Sequence, residues 1–450
     1  MSTRKRRKCA AVVPGSFVGC LRYFLSPDLF KQAHAARKCH QAPRDCRWSL
    51  HAVVLTLAVF TWCAGDSQEE RFEVARAFYV DALAPKRKRP GETVEGFRAA
   101  LARLPLFVLR VFARGLRRAL LVKLQPWLWL DGFIPIGCDG SRLCCPRTAE
   151  LERRLGTGGK KEGIPQLWVT ALVHLSTGLA WSWRLGKANA SERDHLRHLL
   201  GDLPSAALLV TDAGYYGAEL ARCIIDCGAD FLMRVGSKTS LYAELTPGQT
   251  WTDGAVMLWT KRDRDARRAP LLLRLIRLHE PRRKVDVWLL SNVSPRRLSV
   301  ESASRFYRLR WENEGFFRTY KRTLSKVKLA SRSVGQIHRE AEGSLLAVQL
   351  LLSQGVWARA TLAARDVRCS PRGALLEIRR EIRRATKRRG REGYRQRLGK
   401  AGREDRPGRK SAKVKRQWTT RADHKPPKPP DLRTPPDDVI AKLHKILGVA

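Results

Sequence analysis

Five short apolar runs succeed one another between Phe133 and Val235, and they restrict this chain to a mixed α/β sheet more firmly than any other feature. The runs are Phe133–Cys138, Gln166–Leu175, Leu179–Leu185, Ala207–Thr211 and Phe231–Val235. Ser176-Thr177-Gly178 supplies a turn between the second and third, so those two predict a hairpin. Helical spacing over Ser191–Leu200 and Tyr216–Cys227 separates the later runs, which predicts strand–helix–strand alternation.

The flanking segments read differently. Arg47 to Lys123 has apolar residues at three- and four-residue spacing, split by Pro85 and the basic turn Lys86–Pro90, and predicts a small Arg-rich helical domain. Between Gly236 and Asn292 the helical period is lost. Val256–Lys261, Leu271–His279 and Val285–Leu290 predict strands of an inserted β subdomain. A long helical run is then expected from Ser299 to Thr323, followed by helices over Gly335–Ala363 and Pro371–Arg388. The organisation expected is therefore a helical, basic region over 1–125, an α/β domain over 130–365 with its insertion at 236–292, a helix within 366–389, and a basic, largely disordered tail over 390–450. Pro426-Pro427-Lys428-Pro429-Pro430 marks that tail, the basic cluster Arg4–Lys8 opens the chain, and a short helix is expected at Asp438–Leu447.

Charge limits the partners. Lys and Arg number 87 against 42 Asp and Glu, a formal net charge of +45. Such a chain repels itself until a polyanion neutralises it, and nucleic acid gains from counterion release when its phosphates are bound. Ribosomal and membrane-surface proteins share this bias, so charge alone names no chemistry. The apolar share of 44% and the 13 Trp exclude a disordered chain. The 11 Cys include no C-x-x-C pair and predict reduced, buried thiols. The apolar run Leu50–Trp62 is too short to span a bilayer and too far from the start for a signal peptide, so a soluble, intracellular, nucleoid-associated protein is expected.

Three carboxylates stand where such a sheet converges side chains. Asp139 and Asp212 each end an apolar run and are followed by the small residues Gly140-Ser141 and Ala213-Gly214. Glu314 lies within the helical run after the insertion. Carboxylates gathered at one point need a cation, and Mg²⁺ is the hard ion that suits oxygen ligands and phosphate substrates. Two such ions about 3.5–4 Å apart can activate a hydroxyl and stabilise the leaving oxygen of a phosphodiester. Tyr307, Arg310, Glu314 and Lys321 share one helical face, while Phe306, Leu309, Phe316, Tyr320 and Leu324 form a neighbouring apolar one. Taken singly, an Asp after a strand is usually a turn former, and an Arg–Glu pair at four-residue spacing is usually a surface ion pair. Asp131, Asp226 and Glu312 are rival acids, but none combines the same kind of element with the same neighbours.

The order Tyr-x2-Arg-x3-Glu-x6-Lys at Tyr307, Arg310, Glu314 and Lys321 resembles the YREK signature of family-four insertion-sequence transposases. Asp139-Gly140-Ser141 is similar to that family's first acidic motif, and Thr211-Asp212-Ala213-Gly214-Tyr215-Tyr216 to its second. The resemblance covers Ile134 to Ala363. It implies an RNase H-like core and a DDE triad of Asp139, Asp212 and Glu314. It further implies two bound Mg²⁺, with Mn²⁺ able to substitute, and cut-and-paste transposition, commonly through a hairpin at the transposon end. Tyr307, Arg310 and Lys321 would then contact phosphates of double-stranded DNA, and a homodimer would hold the two ends. A Trp of the insertion can stack on a flipped base in this family, for which Trp251, Trp259 and Trp288 are candidates. Two other readings stay open: a stand-alone RNase H-like nuclease, and a non-catalytic or domesticated DNA-binding protein.

Smaller features carry less. Gly156-Thr157-Gly158-Gly159-Lys160-Lys161 lacks the spacing of a phosphate loop. His174, His195, His198 and His338 show no convergent spacing and are expected to be structural, while Trp181 and Trp183 alternate along a strand as core residues.

Overall fold

The structure, a computed structural model, describes residues 15–37, 46–84, 89–158, 163–246, 248, 250–280, 285–362, 366–385, 393–400, 402 and 428–447. The opening basic cluster, most of the Lys86–Pro90 turn, Gly159 to Lys161 and the basic stretch 403–427 lie outside these residues. By packing, the chain divides into two units. One comprises 126–143, 155–317 and 404–450, and the other 1–125, 144–154 and 318–403.

The first unit is built on a sheet, ten-stranded among the described residues. Its strands are β1 (Ile134–Cys144), β2 (Gln166–His174), β3 (Leu179–Lys187), β4 (Ala207–Thr211), β5 (Asp230–Val235), β6 (Ser240–Tyr242), β7 (Asp253–Leu258), β8 (Leu271–Glu280), β9 (Val285–Ser291) and β10 (Asp431–Arg433). Their spatial order is β10-β6-β7-β8-β9-β5-β4-β1-β2-β3. β2 and β3 form the expected antiparallel hairpin. β1, β4 and β5 run parallel to one another, so their carboxyl ends open on one edge.

Two expectations are revised here. The strands after Gly236 do not stand apart as a subdomain of their own, because β9 pairs antiparallel with β5 and carries β8, β7 and β6 into the same sheet. β1 continues past Cys138 to Cys144, so Asp139 and Gly140 lie within a strand and not in a turn. The sequence pattern hides this extension, since Gly140-Ser141 has turn composition.

Helices α1 (Glu192–Leu199) and α2 (Ala218–Asp226) connect β3 to β4 and β4 to β5. Ser191 caps α1, its hydroxyl accepting from the Asp194 N–H at 3.2 Å. On the opposite face lies α3 (Val300–Leu309), capped by Ser299. Its Ala303 and Phe306 are fully buried against Phe133, Leu208, Val210 and Leu289. Burial of one such aromatic side chain contributes about 1.5–3 kcal/mol.

The expected helix over Ser299–Thr323 is interrupted. α3 ends at Leu309, Arg310 and Trp311 form a tight turn, α4 (Glu312–Arg318) follows, and Thr319–Thr323 is a single π-helical turn.

The second unit is helical. Its axis is Val334–Thr361, which is buried on every side from Ala341 to Ala358. The run Leu50–Trp62 packs along it, with the Trp62 indole donating to the Ala347 carbonyl at 3.2 Å. Glu342 is fully buried on that axis and accepts two hydrogen bonds from the Arg110 guanidinium at 2.9 and 2.7 Å. No helix among the described residues is long and apolar enough to cross a membrane.

The tail is also more ordered than its composition predicts. Tyr394–Lys400 is helical, Tyr394 is buried and its hydroxyl donates to Gln354 at 3.1 Å. β10 pairs parallel with β6, and Asp437–Leu447 closes the chain as a helix.

Candidate active site

β1 and β4 set the first two carboxylates beside each other. Their parallel register pairs Ile136 with Leu209 and Gly137 with Val210, and two residues further along each strand stand Asp139 and Asp212. At Asp139 β1 passes from a fully buried stretch to half-buried positions, so its carboxylate sits at the rim of the sheet. It accepts a hydrogen bond from the Gly140 N–H at 2.8 Å. Asp212 follows the last residue of β4 and caps the short turn Ala213–Tyr215, accepting from the Gly214 N–H at 2.9 Å.

Glu314, exposed on α4, acts on Asp139 through space. Burial pushes the Asp139 carboxyl up to about 6, and the nearby Asp212 and Glu314 charges push the same way. The Gly140 N–H and the Arg310 guanidinium act against them. Asp212, Glu314 and Arg310 of the sequence motifs thus all lie within electrostatic reach of Asp139. Arg310 lies over the Tyr307 ring at 5.5 Å and the Trp311 ring at 5.1 Å, and its buried Nε has no hydrogen-bond partner among the described residues. Lys321 belongs to the helical unit, on the π-helical turn, where burial lowers its ammonium from the usual lysine range.

The α4 helix is held tightly to β1 next to this cluster. Asn313, fully buried beside Glu314, packs on Gly137; a Cβ there would come within 2.5 Å of both its side-chain Nδ2 and Oδ1. Neither of those atoms has a partner among the described residues.

Two of the rival acids are engaged elsewhere, and Glu312 opens α4 two residues before Glu314. Asp131, with φ of 46°, accepts from the Ser302 hydroxyl at 2.6 Å and pairs with Arg305, which fixes the start of α3. Asp226 ends α2 at an exposed position. The histidines are structural where their bonds are visible. His174 is buried between Thr177 and the Leu128 carbonyl, at 2.7 and 2.9 Å, and burial pushes it down to about 4. His195 is bound to Thr170 at 2.9 Å. Trp181 and Trp183 are buried as expected. Of the three Trp candidates for stacking, Trp259 and Trp288 are buried and Trp251 donates to the Leu275 carbonyl at 3.0 Å. Trp311, passed over in the sequence, is 52% exposed next to Arg310.

Two further residues were missed. Glu192, in the first turn of α1, faces Asp139 and Asp212, and burial together with those charges raises its carboxyl from the usual range. The fully buried Tyr215 hydroxyl lies near Glu192 and the Cys138 thiol, with no well-formed hydrogen bond among the described residues. An acid in a first helical turn ordinarily serves the helix dipole, so nothing in the sequence marked Glu192.

The donor set is chemically uniform: carboxylate oxygens, with Arg310 acting on Asp139 and Arg142 on Glu192. It suits a hard divalent cation such as Mg²⁺ or Mn²⁺ and offers no sulfur or imidazole pair for a softer one. Among the described residues no group of three or more Asp, Glu, His or Cys side chains is placed to hold a metal ion.

No curated protein matches the chain. The cryo-EM structure of a piggyBac transposase synaptic complex with hairpin DNA is similar with a TM-score of 0.41 and 10% identity, over 89% of this chain and 87% of that one. Residues 138–350, which begin one position before Asp139 and take in Asp212 and Glu314, match the family model of the transposase DDE domain.

Proposed function

We propose that the protein is a DDE transposase of the family-four insertion-sequence type, which cleaves DNA at the ends of its element and joins those ends to a target. The observation that carries this reading is that Asp212, Glu314 and Arg310 all act electrostatically on Asp139 within the segment that matches the transposase DDE domain. The strand order β3-β2-β1-β4-β5, with β1, β4 and β5 parallel, supports an RNase H-like core.

Asp139 would face both of two Mg²⁺ ions, with Asp212 and Glu314 each holding one. Bound there, the ions supply a polarised hydroxyl and neutralise charge on the scissile phosphate. The protein's own part is placement. The sheet edge fixes Asp139 and Asp212, and the contact of Asn313 with Gly137 sets how close α4 brings Glu314. Arg310 offers a planar fork to the phosphate beside the scissile bond, and Tyr307 supports that guanidinium from below. Lys321 would contact a neighbouring phosphate as a point charge, and two subunits would hold the two ends.

The test is strand transfer. Duplexes carrying the DNA that flanks the gene are incubated with a supercoiled target plasmid, with Mg²⁺, with Mn²⁺ and with EDTA. Metal-dependent joining of the flanking ends to plasmid is the expected result. Cutting without joining would favour a stand-alone nuclease, and binding without cutting under either metal would favour a non-catalytic DNA-binding protein.

A further inference from the structure

Glu192 has no place in the triad, yet two of the triad's carboxylates act on it through space. A first-turn acid serving only the helix dipole points to solvent, whereas Glu192 is half-buried and lies over β1. Its Oε1 is 2.6 Å from where a Cβ on Gly140 would stand, directly after Asp139, and the Trp168 ring closes the other side of that position at 2.8 Å. Only glycine leaves room for a carboxylate there. Asp139 and Asp212 both act on it through space, and the cation opposing them, Arg142, is stacked on Trp168 at 4.7 Å. Behind it the Tyr215 hydroxyl is fully buried, near Glu192 and Cys138, and has no well-formed hydrogen bond among the described residues. A buried hydroxyl left in that state is destabilising unless something draws its acceptor into line.

We infer that Glu192 is a fourth carboxylate of the cation site, facing a divalent ion held by Asp139 and Asp212, with Tyr215 as the positioning residue that orients it. The inference rests on the proposed two-ion chemistry. A cation between Asp139 and Asp212 draws the Glu192 carboxylate forward, directly or through a bound water, and brings its far oxygen into line with the Tyr215 hydroxyl. Gly140 is then required for reach and not for backbone conformation.

The experiment is Mn²⁺ binding to the full-length protein without DNA, followed by the electron paramagnetic resonance signal of free Mn²⁺. The wild-type protein is expected to bind Mn²⁺, and Glu192→Gln to weaken one site about 10-fold or more while the thermal melt without metal is retained. Tyr215→Phe should weaken the same site by a smaller factor, and Gly140→Ala should mimic Glu192→Gln by displacing the carboxylate. Glu192→Asp, which keeps the charge but shortens its reach, should fall between the wild type and Glu192→Gln. Wild-type affinity in Glu192→Gln and in Glu192→Asp would overturn the assignment and leave the triad intact. Absence of Mn²⁺ binding by the wild type would remove this inference together with the two-ion reading beneath it. If Glu192→Gln fails to fold, the Glu192→Asp titration alone decides.

Discussion

At the scale of single residues, the energetics of the site centre on Asp139. Its carboxyl is pushed from 3.8 up to about 6, first by burial and then by Asp212 and Glu314. A carboxyl raised in the folded state binds its proton more tightly there than in the unfolded chain. Its favourable contribution is therefore complete below about pH 4 and is lost as pH rises through about 6. In metal-free protein, Asp139→Asn should remove this component, so its melting temperature should gain on the wild type as pH rises from 4 to 8. A wild-type-minus-mutant difference that is flat across that range would contradict the assignment. Divalent cation should act in the opposite sense, since its ligands must be ionised, and should raise the wild-type melt most above pH 6. Asp139 and Asp212 were legible because each follows an apolar run and precedes a small residue. Glu192 and Tyr215 were not, because their meaning depends on the approach of α1 to β1 across unrelated stretches of sequence.

At the scale of elements, the site depends on how closely α4 lies on β1. Gly137 is the contact point: an added methyl would meet Asn313 at 2.5 Å and Leu175 at 2.6 Å. Gly137→Ala should destabilise the protein by about 1–3 kcal/mol in denaturant melts and should lower cleavage further than that loss explains, because Glu314 moves with Asn313. Cleavage that falls only in proportion to the folded fraction would show that the α4 position is not the controlling variable. Local strands and the helices between them could be read from apolar spacing, and β4 begins and ends at the residues the pattern indicated. Non-local features could not. The pairing of β5 with β9 joins segments separated by the whole run of β6 to β8, and no periodicity reports such a partner. The break at Arg310–Trp311 escaped for a different reason: helical spacing continues through it, so the pattern alone predicts one helix where the backbone makes two.

At the scale of the whole molecule, the charge of +45 is the dominant fact. Much of it lies on helices of the second unit, such as Leu106–Lys123 and Pro371–Ala385, and more in residues 403–427. If this charge serves phosphate binding, DNA affinity should fall steeply with salt, with a log–log slope of about −0.9 per phosphate neutralised. Deleting residues 403–427 while keeping β10 and the closing helix should make that slope shallower and leave metal-dependent cleavage in place, which fluorescence anisotropy and a cleavage assay on one preparation can check together. An unchanged slope would place the DNA-binding charge elsewhere on the chain. The central claim is narrower than binding: Asp139, Asp212 and Glu314 form one catalytic centre. The most direct test is single-turnover cleavage of a labelled duplex carrying the element's end, comparing the wild type with Asp139→Asn, Asp212→Asn and Glu314→Gln at matched DNA occupancy. Each substitution should lower metal-dependent cleavage by on the order of 10³ with DNA binding retained. Wild-type cleavage in any one of the three would contradict the account and exclude that residue from the centre.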